Sequence, residues 1–165
     1  MRQVFFSFHY MRDVWRASMV RNMGKVDKSS TFSDNDWEEV RYKTDAKIKE
    51  WIDEQMAMRS CLVVLVGAET SERKWVKYEI EQAMKLHKGI VGIRIHKLEN
   101  KDGKQDVEGS NPFYAVITPL GHRLSNYVKI FDSTYHTSKY VYDDIKKTLN
   151  ISSKRQLPTV GHTKQ

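Results

Sequence analysis

The run CLVVLVG, residues 61 to 67, constrains this chain more than any other feature. A continuous apolar stretch ending in glycine is the pattern of a strand covered on both faces, as in a parallel sheet. Behind it, Thr70 or Ser71 can cap a helix running to about His87, with Val76, Ile80, Ala83, Met84 and His87 as its inward stripe. GIVGIRIHK, residues 89 to 97, is the next strand. Strand, helix, strand in that order makes a βαβ unit, so the sheet is expected to be parallel with right-handed crossovers.

The flanking sequence extends this unit in both directions. QVFFSF (3 to 8) reads as a first strand and DVWRASMVRNM (13 to 23) as a helix, with Trp15, Ser18, Met19 and Asn22 at helical spacing. The polar stretch 24 to 42 reads mostly as a functional or mobile loop, with room for a short second strand around Thr31 and Phe32. From the N-cap candidate Thr44, residues Ile48, Trp51, Ile52 and Met56 recur at amphipathic spacing. A long polar loop covers 97 to 113, YVKIFD (127 to 132) reads as a last strand, and Val141, Ile145 and Leu149 mark a last helix from Ser138. The expected fold is α/β, a flavodoxin-like, doubly wound, mainly parallel sheet of about five strands flanked by helices. Residues 1 to 150 form its single domain and 151 to 165 a polar, basic C-terminal tail.

Composition removes several function classes. The net charge of +7 invites a nucleic-acid partner, but Lys154, Arg155 and Lys164 of the tail supply part of it. The remaining lysines are interspersed with acids as on a solvated face, which argues against nucleic acid. No apolar run approaches the about 18 residues of a membrane span, and the first residues lack a signal-peptide layout, so a cytoplasmic protein with no membrane contact is expected. The lone Cys61, at the head of the apolar run, reads as a buried strand residue. The glycines form no dinucleotide fingerprint and no phosphate loop. The histidines show no metal-ligand spacing, and no nucleophile elbow is present, so neither a metal nor a triad hydrolase is expected.

One octapeptide stands apart. In RKWVKYEI (73 to 80), Glu79 lies one helical turn beyond Trp75, beside apolar Val76 and Ile80, where a carboxylate is costly to desolvate. Strand-end geometry would gather the loops after Phe8, Gly67 and His96 around one crevice that Glu79 could face. The plain alternative is an exposed glutamate paired with a neighbouring lysine such as Lys74.

VFFSFHY, the strand CLVVLVG followed by ETSERKWVKYEI, and the NPF after the long loop occur in an order that resembles the TIR-like family typified by ThsB of bacterial Thoeris antiphage defence. The resemblance covers roughly residues 2 to 115. It implies an enzyme that takes NAD+ as substrate with no bound cofactor. Cleavage of the nicotinamide–ribose bond would release an ADP-ribose-derived second messenger for a separate effector, with the acceptor setting the product: an internal hydroxyl gives a cyclic isomer, water ADP-ribose and another small molecule a conjugate. It also implies Glu79 as the catalytic residue, with Phe6, Ser7, Phe8, His9, Trp75 and Asn111 binding substrate. A phage-derived activator and a homo-oligomer fit the same picture.

A lone carboxylate suits such chemistry. Nicotinamide leaves NAD+ as a neutral molecule, so the acid partner of ordinary glycosidases is not needed. One carboxylate can stabilise an oxocarbenium-like transition state. Phe6 and Phe8 read equally as core packing, Ser7 as a backbone-bonded strand residue, His9 as a loop residue and Asn111 as a turn former. A non-catalytic interaction module and a nucleotide-binding regulator are the rival functions.

Overall fold

The computed structural model describes residues 4–23, 37 and 39–154. In chain order the described elements are β1 (Val4–Ser7), α1 (Tyr10–Arg21), α2 (Asp45–Ala57), β2 (Cys61–Val66), α3 (Lys74–Lys85), β3 (Gly89–Arg94), β4 (Ile130–Phe131) and α4 (Ser138–Lys154). The four strands form one sheet in the order β1-β2-β3-β4, and every pairing is parallel. The second strand expected around Thr31 and Phe32, and the tail beyond residue 154, lie outside the described residues.

Strand β2 explains why its sequence has no polar alternation. Cys61, Val63 and Leu65 face one hydrophobic cluster with Ala17 and Val20 of α1 and Val141 and Ile145 of α4. Leu62, Val64 and Val66 face the other, with Met56 of α2 and Val76, Ile80 and Ala83 of α3. Helices on both faces leave a central strand no wet side, which is the doubly wound arrangement. Cys61 is a buried strand residue, as expected.

Several boundaries and faces differ from the sequence reading, each for a local reason. Helix α1 buries Asp13, Arg16, Ala17 and Val20 rather than the face of Trp15, which is 53% exposed. Ion pairing made this possible, because Arg16 bonds Asp13 and so lets a charged pair replace apolar residues on the inner face. Thr70 does not cap α3; its hydroxyl accepts from Gly67 N at 2.7 Å and closes the turn after β2. His87 is exposed with φ 54 and lies beyond the end of α3. The last strand shrinks to Ile130–Phe131. Thr44 does cap α2, accepting from Lys47 N at 3.3 Å.

The long loop after β3 is fastened across the carboxyl ends of the strands. Arg12 donates to both carboxylate oxygens of Asp106 at 2.9 and 3.0 Å. Arg16 donates to the carbonyls of Leu98 and Lys104, each at 2.8 Å. Asp106, held by Arg12, has its pKa lowered to about 2. Gly109 completes the closure: a Cβ there would stand 2.1 Å from the carbonyl oxygen of Gly67, so only glycine permits the contact.

Candidate functional site

The carboxyl end of β1 opens into a cleft of about 420 Å³, within the range that holds small organic ligands. Five of the seven residues picked out by sequence line it: Phe6, Phe8, His9, Trp75 and Glu79. Ser7 is buried beside it, 1% exposed. Asn111 is not among the lining residues; its side-chain oxygen accepts from Phe113 N at 2.9 Å and forms a turn.

Glu79 is placed by α3 and gated by β1. The amphipathic stripe of α3 drives Val76, Ile80 and Ala83 into the core, and Glu79, adjacent to Ile80, is carried inward with them to 6% exposure. Ties between α2 and α3 fix the rotation of that helix: Tyr78 donates to Asp53 at 2.8 Å, and Lys74 pairs with Asp45. The alternation of β1 turns Phe5 and Ser7 to the face that α3 covers. Glu79 is therefore not an exposed helix residue paired with Lys74.

Burial sets the charge of that carboxyl. Desolvation raises its pKa to about 8, and the Ser7 hydroxyl is the one group that works in the opposite direction. Ser7 Oγ and Glu79 Oε2 are both buried without a formed hydrogen bond, so the hydroxyl pulls through proximity and not through a completed bond. Burial thus favours the neutral acid over the ionised carboxylate that the sequence reading calls for. No local sequence pattern encodes this, because the desolvating atoms come from other segments.

His9 serves two ends. Its Nδ1 accepts from Arg12 N at 3.3 Å and caps α1, which fixes the neutral ring with its proton on Nε2. Nε2 faces Glu69 at 3.6 Å. Burial lowers the pKa of the ring, the positive charge of Arg73 adds to the effect, and Glu69 opposes it.

Sequence reasoning missed the outer half of the cleft. Tyr10, Met11, Trp37, Arg41, Tyr42 and Arg73, with Val76 of α3, complete its lining. Aromatic rings run in series along one wall, with centroids 6.2 Å apart for Phe8 and Tyr10 and 6.4 Å for Tyr10 and Trp37, and Trp37 is backed outside the lining by Trp51 at 5.9 Å. The Arg41 guanidinium lies 5.3 Å from the Tyr10 ring and 4.7 Å from the Tyr42 ring. The signal that could have found them is the aromatic and cationic content of WEEVRY (37 to 42), at the end of a stretch read only as loop. The cleft thus joins a buried acid, an aromatic wall and two arginines, Arg41 and Arg73, the residue type suited to phosphate. Among the described residues no group of His, Cys, Asp and Glu could hold a metal ion.

Residues 5–100 match the family model described as Thoeris protein ThsB, TIR-like domain. A protein of Bacillus cereus (strain MSX-D12) named "Putative cyclic ADP-D-ribose synthase ThsB1" is 34% identical over 117 residues, covering 68% of this chain and 61% of that relative. The match thus spans less than two thirds of the relative's length.

Proposed function

The chain belongs to the TIR-like family of Thoeris ThsB proteins, and from that premise we propose that it cleaves the nicotinamide–ribose bond of NAD+ and forms an ADP-ribose-derived, cyclic nucleotide. The observation that carries the reading is Glu79, a buried carboxyl opening into an aromatic-walled cleft with arginines in its lining. Its relative's name supports the product class.

In this reading the nicotinamide ribose enters toward Glu79, against Trp75 and Phe8. Aromatic faces accept the flat rings of a dinucleotide, and Arg41 and Arg73 suit its pyrophosphate. As the bond to nicotinamide lengthens, positive charge grows on the ribose carbon. Glu79, its proton given up to solvent, stabilises that charge as a carboxylate in a site with little water to screen the interaction. Nicotinamide departs neutral, so no protein group has to protonate it. The same cleft that shields the cation from bulk water favours capture by a hydroxyl of the substrate itself, which forms the new C–O bond and loses its proton to solvent, giving a cyclic product. The product then acts on a separate effector, with a phage-derived trigger controlling its synthesis. Residues 1 to 150 act as one domain in this scheme.

The test is mass spectrometry of nucleotides in cells expressing the protein or Glu79→Gln, before and during phage challenge. A new ADP-ribose-derived species that needs Glu79 is expected. Full NAD+ consumption by a folded Glu79→Gln protein would overturn the assignment.

A further inference from the structure

The connection from β3 to β4 exposes an apolar, basic hairpin. Residues 109 to 131 contain no Asp or Glu, yet carry His122, Arg123 and Lys129. Ile117 pairs with Arg123 in an antiparallel bridge, and Thr118 N donates to the His122 carbonyl at 2.7 Å. Gly121, with φ 83, closes the turn, its N–H donating to the Thr118 carbonyl at 2.8 Å. These bonds stiffen the tip, which presents Leu120 at 71% exposure, with Tyr114, Ile117 and Tyr127 exposed as well. The Arg123 guanidinium lies 3.8 Å from the centre of the Tyr114 ring and donates to the Tyr114 carbonyl at 3.0 Å, which leaves donors over for a further acceptor. Tyrosine and arginine beside aliphatic groups, with carboxylates absent, is the composition of a protein interface.

The opposite chemistry stands on the other face of the sheet. A recess of about 360 Å³ is lined by Tyr135, Tyr140, Asp143, Asp144 and Lys147. Its two tyrosine rings have centroids 5.9 Å apart. Buried Ser133 donates its hydroxyl to Asp144 at 2.7 Å and accepts from Tyr135 N at 3.2 Å, which ties that carboxylate to the tyrosine wall. Aromatic faces with two carboxylates against one ammonium suit a guanidinium. The hairpin cannot fill the recess of its own chain. Its flanks Val116, Leu124 and Val128 pack into the cluster under α3, whereas α4, which carries most of the recess, packs Val141 and Ile145 into the cluster on the opposite face.

We infer that this chain binds a second copy of itself head to tail, with the hairpin tip of one copy, Leu120 and Arg123, seated in the recess of Tyr135, Tyr140 and Asp143 on the next. Charge chooses the occupant: a basic projection free of acids meets an acidic, aromatic recess, and both belong to the same chain. Such a contact is heterologous, using a different patch on each copy. None of its residues lines the cleft of Glu79, so it stands apart from the proposed function.

Sedimentation velocity of the purified full chain, from about 1 to about 300 μM, is the experiment. The mean mass should rise with concentration and fall back with added salt, which screens the charges. Arg123→Glu and Asp143→Arg should each weaken self-association at least about tenfold. An equimolar mixture of the two should associate again, because each variant supplies the intact half that the other lacks. Leu120→Glu repeats the hairpin arm at a position whose exposure makes it safe for folding, and circular dichroism identifies the folded variants. A wild-type protein that stays monomeric throughout would overturn the inference and leave the hairpin to a different partner. Undiminished association of the folded variants, or a mixture that associates no better than its parts, would overturn it as well.

Discussion

Replacing Glu79 by glutamine should make the protein more resistant to unfolding at alkaline pH while removing its activity. In the folded chain Glu79 titrates at about 8, against an ordinary glutamate value of 4.5 in the unfolded chain. Its folded pKa is raised, so the stability associated with the neutral form is complete below pH 4.5 and is lost as pH rises toward 8. The loss is about 1 kcal/mol at pH 5, about 3 at pH 7 and about 5 at pH 9, from 1.36 kcal/mol per pKa unit. Glutamine does not titrate, so the stability of the variant minus that of the wild type should grow by about 4 kcal/mol between pH 5 and pH 9. Asp13, whose pKa burial raises to about 6, adds its own pH dependence to both proteins and cancels in the difference. Urea unfolding monitored by tryptophan fluorescence at several pH values measures this directly. Parallel stability profiles for the two proteins would refute the account of Glu79 as a neutral buried acid.

Other perturbations probe the frame around the cleft. Gly109→Ala drives a Cβ into the Gly67 and Ala68 carbonyls and should cost about 2 kcal/mol in chemical denaturation. Arg12→Ala removes the paired hydrogen bonds to Asp106. Its side chain is 38% exposed, so the stability loss should be only about 1 kcal/mol, while amide exchange across residues 97 to 113 should accelerate. Ile80→Ala opens a void beside the core of α3, where Ile80 is fully buried, and should lower stability by about 3 kcal/mol. Arg41→Ala should raise KM for NAD+ about tenfold with kcat little changed, since its charge binds ground and transition states alike.

The βαβ core was legible because its signals are local. CLVVLVG lacks polar alternation for the reason seen in the structure, namely helices on both faces of β2. Thr44 capped α2 as expected because an N-cap needs only the next few residues. The inner face of α1 differs from the sequence reading because Arg16 is buried through bonds to the 97 to 113 loop and Asp13 lies against Arg16 and Gly67, partners mostly far away in sequence. The short β4 and the exposed His87 show the same limit at element ends. At the cleft, the octapeptide placed Glu79 next to the apolar stripe of α3, but Arg41, Tyr42 and Trp37 were invisible as lining because no local period links them to β1.

The sequence by itself determined the parallel α/β order, the inward stripe of α3 and the presence of one carboxyl at its edge. Those features depend on side-chain periodicity within a few turns or residues. Only the tertiary structure decided that burial raises the pKa of Glu79, that it faces Ser7 and that it shares a cleft with Arg41 and Arg73. The charge of a carboxyl depends on how much water and how many counter-charges remain around it, and in this chain β1 and α3 set that jointly when they pack together.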